Sequence, residues 1–163
     1  MKKAFLWVLI IGFIYSCENN KVVNVERAFY YWKSGEWSMD RESEVFLNTA
    51  QTQKLYVKFF EVEHNDLMGN IPVSKNKMRI KKKGLEMIPT IFIKNEVFKK
   101  NDKGEIDLLA FNTNTLIEKY IKYPYEDFIV NEFQFDCDWT HSTKENYFYF
   151  LNKIKELSTK KIS

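Results

Sequence analysis

The stretch EFQFDCD, residues 132–138, decides the fold of this 163-residue chain. Apolar and polar side chains alternate along it, which is the period of a β-strand with one buried face. One face carries Phe133, Phe135 and Cys137, and the other carries Glu132, Gln134, Asp136 and Asp138. We therefore predict a strand over 128–138, with Cys137 in the core and the acidic side chains opposite.

Strand-like and helix-like segments alternate through the rest of the chain. The predicted strands are 27–32, 55–62, 88–93 and 128–138, and residues 160–163 begin a further one. The predicted helices are 38–50, 106–122 and 142–157. The polar segment 64–84 is predicted to be a long loop, with or without a short helix. Alternating strands and helices favour an α/β fold with a parallel sheet.

Local signals mark the helix starts and the helix faces. Ser38 or Asp40 can cap the first helix, and Ser142-Thr143-Lys144-Glu145 has the spacing of a capping box. The predicted apolar stripes of the three helices are Val45, Phe46 and Ala50; Leu109, Leu116, Ile117, Tyr120 and Ile121; and Tyr147, Phe148, Leu151 and Ile154.

The number of βα units predicts a partial barrel. About four units occupy the chain, whereas a complete eight-unit βα barrel needs roughly 250 residues. We expect a partial (β/α) barrel, the N-terminal half of a TIM-like barrel cut short. The alternatives are a complete four-stranded α/β sandwich and a half-barrel that dimerises to close.

The N-terminus carries a targeting signal. Lys2 and Lys3 precede an apolar run at 4–15, which is shorter than the roughly 20 residues that span a bilayer. The run ends in Ile14-Tyr15-Ser16-Cys17, which resembles a bacterial lipobox. This resemblance implies cleavage before Cys17 and a lipid on its sulfur. The alternatives are an ordinary signal peptide with an incidental cysteine and a short buried helix.

The leader sets the predicted domain organisation. We expect a lipoprotein signal peptide at 1–16, a tether at 17–26 and a barrel domain at 27–163. The predicted location is the bacterial cell envelope, with the lipid on Cys17 in the outer membrane and the domain facing the periplasm or the surface.

Charge and motif content exclude several protein classes. The net charge of +3 becomes +1 once Lys2 and Lys3 leave with the leader, which does not fit a general nucleic-acid binder. With Cys17 lipidated, Cys137 is the one remaining thiol, so the mature chain forms no internal disulfide. No Walker A, GxGxxG or GxSxG motif occurs, so we expect no nucleotide cofactor and no serine hydrolase.

Two segments carry a family resemblance. Residues 134–140, read as QFDCDWT, and 142–151, with Ser142-Thr143-Lys144 and the run YFYFL, resemble a strand-loop-helix signature of uncharacterised bacterial TIM-barrel-like lipoproteins. That family is distantly similar to glycoside hydrolases. The resemblance implies a barrel with a glycosidase-like rim, four further strands beyond this sequence, and a carbohydrate ligand.

Acidic residues at strand ends are the candidate catalytic groups. TIM-barrel active sites lie at the carboxyl ends of the strands. Glycosidases use two carboxyl groups roughly 5–10 Å apart. We select Asp136, Asp138 and Glu61, and we expect the repulsion between the two aspartates to raise one pKa. The alternative for the aspartates is a rim role, bonded to a helix N-terminus or to a lysine.

The candidate binding residues are Trp32, Lys58, Asn95, Glu96 and Trp139. Tryptophans can stack on sugar faces, although the aromatic run at 30–32 can equally belong to the core. Lys58 can bind ligand, pair with Asp136, form a buried structural salt bridge, or protect an edge strand from aggregation.

A metal site has little support in the sequence. His141 lies near Asp136 and Asp138, but no HExxH or paired-histidine spacing occurs. We therefore predict no metal and no cofactor.

Three hypotheses of function follow. The first is an envelope lipoprotein derived from a glycosidase-like barrel and inactive as a half. The second is a non-catalytic lipoprotein that binds glycan or a partner protein. The third is a truncated pseudogene product without a stable fold.

Overall fold

The computed structural model describes residues 25–79, 84–122 and 128–163. The leader at 1–16 and the lipidation site Cys17 lie outside the described residues. The strands are β1 Ala28–Tyr31, β2 Gly35–Ser38, β3 Lys54–Asn65, β4 Gly69–Val73, β5 Asn76–Arg79, β6 Glu86–Ile93, β7 Glu132–Asp136 and β8 Lys161–Ile162. The helices are α1 Arg41–Thr49, α2 Asn95–Lys100, α3 Lys103–Lys122 and α4 Lys144–Leu157.

Six of these strands form one mostly parallel sheet. Five are parallel in the order β1-β3-β6-β7-β8, and β4 pairs antiparallel with the carboxyl half of β3. β2 and β5 form a separate parallel pair. The predicted α/β class with a parallel sheet is confirmed. The strand order follows the chain without the reversal of a doubly wound sheet.

The main sheet has a face that packs against helices, called the helix face below. Right-handed crossovers between neighbouring parallel strands place their helices on one side of a sheet. The predicted faces of β7 are confirmed, because Phe133, Phe135 and Cys137 are buried in this core. The Tyr147 hydroxyl of α4 donates a hydrogen bond to the Phe135 carbonyl at 2.9 Å, and the Phe150 ring lies edge-on to the Phe135 ring.

The helix caps agree only in part with the sequence. The Asp40 carboxylate caps α1 by accepting from the Ser43 N–H at 2.7 Å, as one of the two predicted caps. The capping box predicted at 142–145 is wrong, because α4 begins at Lys144 and no side chain caps it. A capping box opens α3 instead, where Asp102 and Glu105 exchange side-chain-to-backbone bonds of 2.8 and 2.9 Å.

The loop predicted over 64–84 is wrong for its described part. β3 continues to Asn65, whose side chain accepts hydrogen bonds from Leu67 N and Met68 N at 2.9 and 3.0 Å. Gly69 then adopts a φ of +73°, which favours glycine, and the chain returns as β4. β5 follows within the same segment. The segment was predicted to be a loop because it is polar, and it is polar because the hairpin is partly exposed.

The predicted helix stripes also need correction. Val45 and Phe46 of α1 are more than half exposed, and Leu47 is the buried residue of that helix. In α4, Phe148 is exposed and Phe150 is buried. The buried residues of α3 are Ile106, Leu109, Ala110, Thr113 and Ile117. The short helix α2, which the sequence analysis missed, buries Val97 and Phe98.

Candidate functional site

The second face of the main sheet, called the open face below, gathers most of the predicted site residues. The strand register places a set of mostly polar and aromatic side chains on this face. They are Tyr30, Lys54, Tyr56, Lys58, Glu61, Glu63, Glu86, Ile88, Thr90, Phe92, Glu132, Gln134, Asp136 and Lys161. Ring contacts, an ion pair and hydrogen bonds join residues from β1, β3, β6 and β7 and from the loop after β1 at its carboxyl half. Tyr30 is 57% exposed on this half of the face, whereas Lys58 and Thr90 are buried.

A β-bulge in β3 builds the first part of the site. The register with β6 shifts between Lys58 and Phe60, so Phe59 is the extra residue. The rings of Phe59 and Phe60 both approach Tyr120 of α3, at 6.0 and 6.1 Å between centroids. Lys58 and Glu61 consequently share the open face, although residues three apart in a regular strand point to opposite faces.

Lys58 forms a buried ion pair with Glu61. Its Nζ lies 2.5 Å from Glu61 Oε1, and the residue is only 4% exposed. β3 is flanked by β1 and β6, so the edge-strand alternative is wrong. The alternative of a buried structural salt bridge is confirmed, with Glu61 rather than Asp136 as the partner.

Glu61 and Asp136 lie on one row across the sheet. Glu61 is in register with Phe92, and Phe92 is in register with Asp136. Two strand spacings separate the two acids, which places their Cα atoms about 10 Å apart. The Phe92 ring lies between them on the same row. Of the three predicted catalytic carboxylates, Glu61 and Asp136 therefore lie on either side of the Phe92 side chain.

Asp136 is the predicted catalytic acid whose pKa the fold raises. Burial raises its pKa above the ordinary aspartate value, and the nearby charge of Asp138 raises it further. The rise predicted for one of the two aspartates is therefore found at Asp136, with burial as the larger cause. Asp138 lies beyond the end of β7 and is exposed.

Trp32 extends the site beyond β1. Its ring is 41% exposed and lies edge-on to Phe92, with 6.3 Å between the ring centroids. The ammonium of Lys58 is 5.6 Å from the Trp32 ring centroid, within the range of a cation–π contact. Trp139 is equally exposed but packs edge-on against Phe148 of α4 at 5.7 Å. The two tryptophans predicted to bind ligand thus have different neighbours.

A polar and aromatic network that the sequence analysis missed lies beside this row. The rings of Tyr30 and Tyr56 stack at 4.6 Å. Gln134 Nε2 donates to the Tyr30 hydroxyl at 2.9 Å, and Gln134 Oε1 accepts from Thr90 at 3.1 Å. The signal was present in the sequence, because Gln134 is the polar residue between Glu132 and Asp136 in the alternating stretch.

The predicted binding residues of α2 have different surroundings. Asn95 Oδ1 accepts a hydrogen bond from the Thr143 hydroxyl at 2.6 Å, which fastens the loop before α4 to the start of α2. Glu96 is exposed in the first turn of α2. Asn95 therefore makes a structural contact. Neither Asn95 nor Glu96 belongs to the row of Glu61, Phe92 and Asp136 on the open face.

The amino half of the open face carries a second set of charges. Glu132 is 3% exposed and accepts from Lys161 Nζ at 2.9 Å. Burial favours the protonated form of Glu132, but hydrogen bonds with Ser163 and Lys161 outweigh it and lower the pKa. Lys54 pairs with Glu26 at 2.9 Å and with Glu86 at 3.8 Å. These side chains hold the strands together and leave the aromatic half as the candidate site.

The arrangement combines a partly exposed indole, an acid with a raised pKa and several hydrogen-bonding groups. Within the described ranges, no cluster of three histidine, cysteine or acidic side chains suits a metal ion. None of the helices in the described part of the chain is sufficiently long and apolar to cross a membrane. Comparisons with protein-family models, with curated proteins and with solved structures give no match to this chain.

Proposed function

We propose that the chain is a lipid-anchored envelope protein that binds carbohydrate on the open face of its sheet. The observation that carries this proposal is the row of Glu61, Phe92 and Asp136 beside the exposed ring of Trp32. Sugars present apolar ring faces and rims of hydroxyls. An exposed indole can cover the apolar face, while carboxylates and a carboxamide such as Gln134 bond the hydroxyls.

Affinity electrophoresis tests carbohydrate binding. The protein is run through gels that contain dissolved glucan, mannan, xylan or an amino-sugar polymer. We expect retardation by at least one polymer. We expect W32A to weaken the affinity for that polymer about tenfold, because the variant loses one aromatic contact that is half covered by the sugar. W139A is the matched control, because Trp139 is equally exposed but packs on α4. Retardation that is equal in W32A and the parent contradicts the proposal.

Glycoside hydrolysis is the second candidate function. Inverting glycosidases place two carboxyl groups roughly 6.5–9.5 Å apart, and the Cα atoms of Asp136 and Glu61 are about 10 Å apart, which lets their carboxyl groups reach this range. The raised pKa of Asp136 suits a proton donor. The resemblance to TIM-barrel-like lipoproteins supports the same chemistry. If D136N and E61Q both keep the full release of reducing ends, the enzyme hypothesis fails while the binding proposal remains.

The same proposal includes a barrel-like curvature of the sheet. Sequential parallel strands with helices on one side are the arrangement of a (β/α) barrel wall. Gln134 reaches Tyr30 although β3 and β6 separate their strands. A contact across three strand spacings supports a sheet that curls toward its open face.

The lipid anchor on Cys17 is the part of the proposal that concerns localisation. It is supported by the leader at 1–16 and the lipobox-like residues before the cysteine. Metabolic labelling with a tagged fatty acid tests it in cells that express the full chain. We expect label on the parent and none on C17S, while C137S keeps the label.

A further inference from the structure

A cavity of about 310 Å³ lies on the helix side of the sheet, between the β3–β4 hairpin and α3. Its apolar lining includes Phe60, Val62, Leu109 and Leu116, and its polar lining includes Asn70 and Asn101. Phe60 and Val62 point away from the open face. This cavity is therefore separate from the candidate carbohydrate site.

The hydrogen bonds of Asn101 fix the orientation of its carboxamide. The residue is 8% exposed, and one end of its side chain contacts the Val97 carbonyl at 2.5 Å. A carbonyl accepts, so this end is the Nδ2 donor. Nδ2 also donates to Asn70 at 3.1 Å, so the atom of Asn70 that faces it is Oδ1.

Asn70 is oriented by a second donor. Its Oδ1 lies 3.0 Å from His64 Nδ1, which must therefore carry a proton and donate. The carboxamide pair then has two remaining groups, the donor Asn70 Nδ2 and the acceptor Asn101 Oδ1. Within the described part of the chain, neither of these two atoms has a hydrogen bond.

The size and charge of the cavity limit its ligand. Its volume is about twice the roughly 150 Å³ that holds one benzene ring, which suits two fused rings. Glu105 is the one ionisable residue among the described side chains that line it, and no cation is present there to hold an anion. A neutral ligand that offers both an N–H and a carbonyl oxygen would match the acceptor Asn101 Oδ1 and the donor Asn70 Nδ2.

We propose that this cavity is a binding site for an uncharged two-ring molecule with a lactam or similar amide edge. The ligand N–H donates to Asn101 Oδ1, and its carbonyl oxygen accepts from Asn70 Nδ2. The apolar rings contact Phe60, Val62 and Leu109. The proposal is independent of carbohydrate binding on the open face.

Equilibrium dialysis of the full chain, purified in detergent, against 2-quinolinone tests the site. We expect saturable binding of one molecule per chain. N112W places a large ring at the cavity from an exposed position of α3 and is expected to abolish binding. T115W adds the same side chain at an exposed position outside the cavity lining and is expected to leave binding unchanged, which also controls for partition into detergent.

Two further comparisons test the recognition chemistry. N70L removes the Asn70 amide donor, together with the Oδ1 that faces His64 and Asn101, at similar size. It is expected to weaken the binding of 2-quinolinone about tenfold and to leave the binding of naphthalene unaffected. Quinoline-2-carboxylate is expected to bind at least tenfold more weakly than 2-quinolinone, because the described side chains that line the cavity include no cation. Four results would each overturn the proposal. They are the absence of saturable 2-quinolinone binding, binding that survives N112W, a loss of binding in T115W equal to that in N112W, and equal affinity for 2-quinolinone and quinoline-2-carboxylate. The melting temperature of each variant, measured alongside, separates loss of the site from loss of the fold.

Discussion

Lys58 Nζ and Glu61 Oε1 lie 2.5 Å apart on one face of β3, although residues three positions apart in a regular strand point to opposite faces. The bulge at Phe59 accounts for this relationship. It turns two consecutive phenylalanines toward Tyr120 and shifts the later residues of β3 by one position. The same shift brings Glu61 onto the row of Asp136. One extra residue therefore creates both the buried ion pair and the candidate acid pair.

Removing the cation of this pair should destabilise the fold. K58M leaves the partly buried Glu61 carboxylate without its cation, and we expect the free energy of unfolding to fall by about 2 kcal/mol. Urea denaturation at pH 7 measures this loss. K94M is the matched control, because the Lys94–Glu63 pair is more exposed and should contribute less than about 1 kcal/mol. Equal losses in the two variants would show that burial of Lys58 does not matter.

The contribution of Asp136 to stability should be more favourable in acid than at neutral pH. Its raised pKa means that the folded chain holds the proton more tightly than the unfolded chain. The resulting stabilisation is complete below the unfolded aspartate pKa and is lost as the pH rises through the folded value. D136N should therefore increase the urea midpoint at pH 7, with no difference from the parent near pH 3. A lower midpoint for D136N at pH 7 would contradict the burial of its charge.

Asp138 provides a test of the second cause of that shift. Its charge contributes to the raised pKa of Asp136, so D138N should bring that pKa closer to the ordinary value. Carbonyl-carbon NMR titration of the Asp136 side chain measures the change directly. The pKa should remain above ordinary in D138N, because burial is the larger cause. A full return to the ordinary value would assign the shift to the neighbouring charge alone.

Glu132 should have the opposite pH dependence from the same face of β7. Its pKa is lowered, so its contribution to stability is present above the unfolded glutamate pKa and is lost as the pH falls through the folded value. E132Q should destabilise the chain at pH 7, and the difference should shrink in acid. Urea midpoints between pH 2 and pH 7 check this. A pH-independent difference would mean that Glu132 acts through packing alone.

The alternating stretch at 132–138 was sufficient to predict the faces of β7, because period-two patterning is a local property of a strand. The α/β class followed from the order of such segments. The sequence did not reveal the bulge at Phe59, since Lys58-Phe59-Phe60-Glu61 has no turn residue. The bulge depends on the packing of Phe59 and Phe60 against Tyr120, a residue of α3 that is distant in the sequence.

The sequence could predict the site only in part, because its residues contact partners that are distant in the chain. Asp136 and Glu61 were selected from their positions near strand ends, which chain order alone gives. Their common row depends on the register of three strands, and Gln134 joins Tyr30 only because the sheet brings them together. Asn95 and Thr143 likewise meet across two loops, so neither the missing cap of α4 nor the structural contact of Asn95 could be read locally.

Cys137 should be almost inert in the folded chain. Burial, with smaller contributions from Asp138 and Asp136, raises the pKa of its thiol from 9.0 to about 12, so the thiolate fraction at pH 8 falls about a thousandfold. In the C17S chain, Cys137 is the one thiol, and its reaction with an aromatic disulfide reagent can be followed by absorbance. We expect no measurable reaction in buffer over minutes and complete reaction in urea. S34C adds an exposed thiol and should react at once in buffer, with one equivalent released. Rapid release of two equivalents from the folded S34C chain would show that Cys137 is accessible and that the β7 side of the core is open.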